Sequence, residues 1–192
     1  MDKGELAAAE ELHRQALAMF RGLLGNEHLE EFYSATDANR ARQKHLEGVV
    51  DVFAWVATVD AFQHWLYTHP GHSRDQRKAA WLALMDRFGG DVDWSGYEDA
   101  RGWLWHRQLH IFLHPFYYVE YAIAQLGALQ VWANSRRDKG EALRAYQRGL
   151  ALGGSRPLPE LFEAAGCRFD LSAKTVRPLV RMVRDELEKL EK

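Results

Sequence analysis

The chain has 192 residues, enough for one domain with a sizeable core, and 47% of them are hydrophobic, which excludes a disordered protein. A formal net charge of −2 gives no electrostatic case for binding nucleic acid or an anionic membrane surface. Cys167 is the only cysteine, which excludes disulfides and a thiolate zinc site, and the longest apolar runs are too short to span a membrane. We therefore expect a cytoplasmic protein without a signal peptide.

The first 71 residues predict two helices. Over residues 1–25, apolar residues recur at helical spacing, and Gly25-Asn26 provides a stop. The second helix begins at a cap residue, Ser34 or Thr36, and ends at Pro70-Gly71. It is about 30 residues long, on the order of 45 Å. Its middle is apolar on nearly all sides and should be buried.

The rest of the chain predicts further helices separated by glycine and proline. One begins near Tyr97 and should be interrupted at Pro115, since the residue before a proline is pushed out of the α region. No long segment alternates with a period of two, so the fold class is all-α, a single multi-helix domain over residues 1–192. The other predicted helices cover residues 73–88, 116–135, 138–152 and 159–165, and one more starts near residue 173.

Three histidines, His106, His110 and His114, are spaced four apart. On a continuous helix they would share one face and could bind a metal. A zincin requires H-E-x-x-H, in which the glutamate acts as general base, and that motif occurs nowhere in the sequence. The alternative is that these histidines are partly buried hydrogen-bonding groups, and no residue of the chain is assigned as a metal ligand.

Tyrosines follow the histidines, and two of them, Tyr118 and Tyr121, are three residues apart. On a helix their hydroxyls would point the same way. A neutral His110 and two phenols are donors that could stabilise an oxyanion. Spacing alone favours the other interpretation, that these are aromatic residues of the core, each with one polar hydroxyl group.

Polar residues also interrupt the apolar helices. A buried carboxylate must be paired, so Glu120 should either line a cleft or form an ion pair with Arg101 or Arg107. The other polar residues in apolar surroundings are Asp60, Gln63, His64 and Gln125.

Four segments together resemble a known family: "VATVDAFQHWLYTHPGH", "DWSGYE", "HIFLHPFYYVEYAIAQLGALQVW" and "GGSRPLPELFEAAGCRFDLS". Over residues 29–192 the chain resembles the C-terminal part of oligoendopeptidase F, a branch of the thimet-oligopeptidase-like zinc metallopeptidases; upstream of residue 25 the resemblance fades. It implies the C-terminal helical portion of a zincin-like oligopeptidase catalytic lobe, built around a deep channel.

The resemblance also implies roles for particular residues. His110, Tyr118 and Tyr121 would bind the substrate carbonyl and stabilise the tetrahedral intermediate, on the cleft wall opposite the zinc. His114 and Tyr117 would be substrate-binding residues beside them. The family's zinc helix has no counterpart in the sequence, and Gln15 aligns with a family glutamate. A neutral amide is a poor zinc ligand, so zinc is expected in the complete family enzyme and not on this chain alone.

Three functional hypotheses follow, and one of them is a metal-binding helical bundle that uses His106, His110 and His114; the other two follow from the resemblance. In the first, the chain is a fragment or remnant of a zinc metalloendopeptidase that hydrolyses oligopeptides, and it is inactive alone. In the second, it is a non-catalytic helical module that binds a peptide or a partner. Because the apolar surface left by a missing lobe usually finds a partner, we expect a homodimer or association with that lobe.

Overall fold

The computed structural model describes residues 29–30 and 32–190, and every regular element in that part of the chain is helical. The predicted all-α class is therefore confirmed, while the helix predicted over residues 1–25 lies outside the described residues. None of the described helices is both long and apolar enough to cross a membrane. The helices are α1 (Ala35–Thr68), α2 (Arg74–Phe88), α3 (Glu98–Trp103), α4 (His110–Leu113), α5 (Val119–Ser135), α6 (Lys139–Leu152), α7 (Leu158–Ala164) and α8 (Ala173–Leu190).

The chain divides into two compact units. Residues Asp51–Ala122 form one, which we call the aromatic unit; the chain up to Val50 together with Ile123 onwards forms the other, the terminal unit. The single domain expected from the sequence stays a prediction.

Helix starts follow the capping chemistry of the sequence. The Asp37 backbone N–H donates to Ser34 Oγ at 3.2 Å, which makes Ser34 the cap of α1. At α2, the Gln76 N–H donates to Ser73 Oγ at 3.2 Å and the Ser73 N–H donates to the Gln76 side chain at 2.8 Å. This reciprocal capping box fixes where α2 begins.

Tryptophan rings fill the core of the aromatic unit. Phe62 is fully buried, with its ring centroid 5.1 Å from Trp81 and 5.4 Å from Trp105. These tilted and edge-on pairs are the arrangements that aromatic quadrupoles favour. The buried Trp81 N–H donates to the Arg101 carbonyl at 2.9 Å, whereas the buried indole nitrogen of Trp105 has no hydrogen-bond partner in the described structure.

Close packing of α6 on α7 organises the terminal unit. A Cβ at Gly149 would lie 2.9 Å from the Ala165 Cβ, so only glycine lets these helices approach so closely. Gly166 follows α7 with φ +72°, and the Cys167 N–H donates to the Phe162 carbonyl at 2.7 Å. These are the marks of a Schellman ending, which turns the chain sharply after α7.

The helix predicted from Tyr97 to Pro115 is broken earlier than expected. α3 passes at Leu104 into one 3-10 turn, Leu104–Arg107, and Gln108 is extended at φ −91° and ψ 86°. The break allows Trp105 to be buried while the next two side chains remain exposed. The three histidines predicted to share one face therefore do not lie on a continuous helix.

Candidate functional site

A turn between α4 and α5 shapes the candidate site. His114 has φ −138° and ψ 74°, outside the α region, as expected for a residue before proline. Phe116 has φ 60°, a left-handed conformation that costs a non-glycine residue about 1–2 kcal/mol. Its ring lies 4.8 Å from His64 and 5.0 Å from Tyr67, contacts that help to hold this strained backbone. α5 consequently begins at Val119 and not at Phe116.

The turn brings all five predicted site residues together around His110. Ring centroids lie 5.0 Å from His110 for Tyr118, 5.7 Å for Tyr121, and 6.1 Å for both Tyr117 and His114. The Tyr118 and Tyr121 rings are 4.9 Å apart, although Tyr118 precedes α5 and only Tyr121 lies on it. The roles implied for these residues remain predictions.

A chain of hydrogen bonds passes through the imidazole of His110. The Trp55 indole N–H donates to Gln108 Oε1 at 3.2 Å. Gln108 Nε2 lies 2.7 Å from His110 Nδ1, and His110 Nε2 lies 3.1 Å from the Tyr121 hydroxyl. Both ring nitrogens are thus engaged, and the ring is held from two sides.

Burial favours the neutral forms of His110, Tyr117 and Tyr118. It lowers the pKa of His110, with a smaller contribution from His114. Burial also raises the pKa of Tyr117 and of Tyr118, and the nearby Trp55 indole acts on the pKa of Tyr118 in the opposite direction. Near neutral pH the site therefore presents a neutral imidazole and protonated phenols, which can donate hydrogen bonds to a carbonyl oxygen or an oxyanion.

A match to a protein-family model identifies the family of the chain. The model of Peptidase family M3 matches residues 19–180. The chain belongs to peptidase family M3. Membership implies zinc in the complete enzyme, and it confirms the resemblance seen in the sequence.

Solved structures agree with membership of family M3. PZ peptidase A with inhibitor 2 aligns with a TM-score of 0.80 and 29% identity, covering 94% of this chain and 32% of that one. A protein assigned as an oligoendopeptidase F aligns with a TM-score of 0.72 and 32% identity, covering 79% of this chain and 27% of that one. Another protein assigned as an oligoendopeptidase F, from Bacillus anthracis str. Ames, aligns with a TM-score of 0.68 and 25% identity, covering 94% of this chain and 28% of that one. A search of curated proteins finds no match.

The chain spans about a third or less of the length of these M3 structures. Within the described residues, no three or more His, Cys, Asp or Glu side chains are grouped so that they could hold a metal ion. The candidate site in the described residues consists of imidazole, phenol, indole and amide side chains.

The polar residues that the sequence places in apolar surroundings differ in burial and in partners. Arg101 pairs with Asp86 at 2.7 Å, so it is not the ion-pair partner that the sequence offered for Glu120. Burial raises the pKa of Glu120, which favours its protonated form. The Oδ2 atom of Asp60 lies 3.6 Å from the Nε2 atom of His64. Gln63 is fully buried, and in the described structure neither polar atom of its side chain has a hydrogen-bond partner.

Two residues of the site, Gln108 and Trp55, were not predicted from the sequence. Gln108 is only two positions before His110, and its amide could have been considered as a hydrogen-bond partner. Trp55 is 53 positions from Gln108, and no local pattern connects them. Only the fold of the aromatic unit brings the indole to the amide.

Proposed function

We propose that the chain supplies the oxyanion- and substrate-binding side of an oligopeptidase cleft and does not hydrolyse peptides alone. In this proposal it is a fragment or remnant of a cytoplasmic zinc metalloendopeptidase that acts on oligopeptides. The observation that carries the proposal is the convergence of His110, Tyr118 and Tyr121, with the His110 Nε2 3.1 Å from the Tyr121 hydroxyl.

The chemistry of the three side chains suits this role. A peptide carbonyl gains negative charge on oxygen as it becomes tetrahedral, and donors placed in advance stabilise that charge at little reorganisation cost. Removing one such donor typically lowers the rate by about 10²–10³-fold in acyl-transfer enzymes. In the ground state, the same donors would hold the substrate carbonyl more weakly.

The binding half of the proposal is tested with an unreactive oligopeptide. Isothermal titration should show binding to the wild-type chain, weakened about two- to tenfold in Tyr118→Phe and in Tyr121→Phe, the range expected for one hydrogen bond. Tyr97→Phe is the matched control, because Tyr97 is 67% exposed and lies outside the cluster. Equal binding by all three variants would contradict the proposal.

The inactivity half is tested by a turnover assay. With a fluorogenic oligopeptide and added zinc, the purified chain should show no hydrolysis above buffer. Turnover that persists through purification and disappears in His110→Ala would overturn this part of the proposal.

A specific observation favours the alternative, a non-catalytic module that binds a peptide or a partner. Three apolar side chains beside His110 are exposed, with Leu109 and Leu113 each at 63% and Phe112 at 53%. Clustered apolar surface of this kind usually marks an interaction site. The two functions are separated by the tyrosine variants, since an apolar interface would lose little when single hydroxyls are removed.

A further inference from the structure

We propose that Gln108, held by Trp55, is a positioning residue that fixes His110 as the neutral tautomer with its proton on Nε2. The proposal rests on the proposed function, because it describes how the donors of that same site are oriented. Gln108 and Trp55 would act through His110 and would not touch the substrate.

The direction of the hydrogen bonds begins at the tryptophan. An indole N–H can only donate, so the Gln108 side-chain atom 3.2 Å from it must be the carbonyl oxygen. The amide nitrogen is then the atom that lies 2.7 Å from His110 Nδ1. The amide orientation therefore follows from this bond, because the reverse orientation would place the amide NH2 against the indole N–H, two donors facing each other.

The proton position on His110 follows in turn. The amide NH2 of Gln108 is a donor only, so Nδ1 must accept and carry no proton. A neutral imidazole then has its proton on Nε2, which donates to the Tyr121 oxygen at 3.1 Å. Tyr121 is the acceptor in this bond, and a hydroxyl that accepts a hydrogen bond becomes a better donor through its own hydrogen.

The same arrangement opposes protonation of His110. An imidazolium has N–H on both nitrogens, and its Nδ1–H would face the N–H of Gln108 at 2.7 Å. The titratable groups in ring contact with His110 are His114 and the tyrosines Tyr117, Tyr118 and Tyr121. None of these is a carboxylate that would favour the imidazolium. Gln108 thus reinforces the neutral form of His110, whose Nε2–H donates to the Tyr121 hydroxyl.

The test reads the tautomer directly by NMR of the whole chain labelled with 15N-histidine. The spectrum of His110→Gln identifies the His110 signals among the nine histidines. Wild type should show a neutral ring protonated at Nε2. Gln108→Glu should move the proton to Nδ1 and raise the pKa of His110 above its ordinary value, because a carboxylate accepts from both the indole and the imidazole.

Two further variants keep the proposal falsifiable should Gln108→Glu not fold. Gln108→Met removes both amide bonds at similar volume, and Trp55→Phe removes the indole N–H; each should give a mixture of tautomers in a protein that circular dichroism shows to be helical. A wild-type ring protonated at Nδ1 would overturn the proposal. So would a wild-type tautomer that persists unchanged in the folded Gln108 variants.

Oligopeptide binding separates this proposal from the function on which it rests. Gln108→Glu should weaken binding about as much as Tyr121→Phe, roughly two- to tenfold. If wild type binds no oligopeptide but shows the tautomer and its switch, the proposed function fails and the positioning role of Gln108 stands. If peptide binds and the tautomer does not depend on Gln108, only the positioning role fails.

Discussion

At the scale of single residues, two histidines link stability to pH. Burial lowers the pKa of His45, whose Nε2 is buried without a hydrogen-bond partner in the described structure, and it lowers the pKa of His110. In both cases the unfolded chain binds a proton at a higher pH than the folded protein. Unfolding therefore takes up protons just below the ordinary histidine value, near pH 6.5. Stability should be fully present above that pH and should fall as the pH drops from there through the folded-state values.

We accordingly predict that the free energy of unfolding in urea is greater at about pH 7.5 than at about pH 5.5. The double variant His45→Gln, His110→Gln should reduce this difference, because it removes both groups. His106→Gln is the control, since His106 is exposed. An unchanged pH dependence in the double variant would show that other groups are responsible.

The contacts of a site residue could be predicted only where its partners lie close to it in the sequence. The clustering of His110, Tyr117 and Tyr121 follows from positions close together in the sequence, and the resemblance to a family pointed to them. The tautomer of His110 could not be predicted, because it depends on an indole more than 50 positions away. The ion pair suggested between Glu120 and Arg101 failed because Asp86, on the neighbouring α2, takes the guanidinium.

At the scale of helices, two glycines offer a matched test of packing. Gly149→Ala should destabilise the protein by about 1 kcal/mol, since overpacking between α6 and α7 outweighs the gain in helix propensity. The neighbours are fixed groups: the Ala165 Cβ at 2.9 Å and the Leu161 carbonyl oxygen at 3.2 Å. Gly48→Ala, within α1, meets nothing within 4 Å and should stabilise by about 0.5–1 kcal/mol. Denaturant unfolding measures both, and equal effects would contradict the close approach.

Helix ends with side-chain caps were predictable, whereas breaks made by packing were not. Ser34 and Ser73 carry their own capping chemistry and mark the starts of α1 and α2. The break at Gln108 arises because Trp105 is buried against Phe62, which is distant in sequence. The late start of α5 depends on the left-handed Phe116, a conformation that sequence propensity disfavours.

At the scale of the whole molecule, the exposed apolar side chains of Leu109, Phe112 and Leu113 bear on association. We predict that the chain is a homodimer in solution, since water contact with this surface is unfavourable. Light scattering should give about twice 22.1 kDa, and Leu109→Ser with Leu113→Ser should return the mass to that of one chain. Val92→Ser, at another exposed apolar position, is the control. A wild-type monomer would refute the prediction.

The uneven distribution of tryptophan gives the molecule an intrinsic optical reporter. The aromatic unit holds Trp55, Trp65, Trp81, Trp94, Trp103 and Trp105, whereas the terminal unit holds Trp132 alone. Intrinsic fluorescence consequently follows mainly one unit, while far-ultraviolet circular dichroism follows the helices of both. Coincident melting curves would mean that the chain unfolds as one cooperative fold, as a single domain requires. Separated curves would mean that the two units unfold at different temperatures. The molecule thus needs no added dye for its cooperativity to be observed.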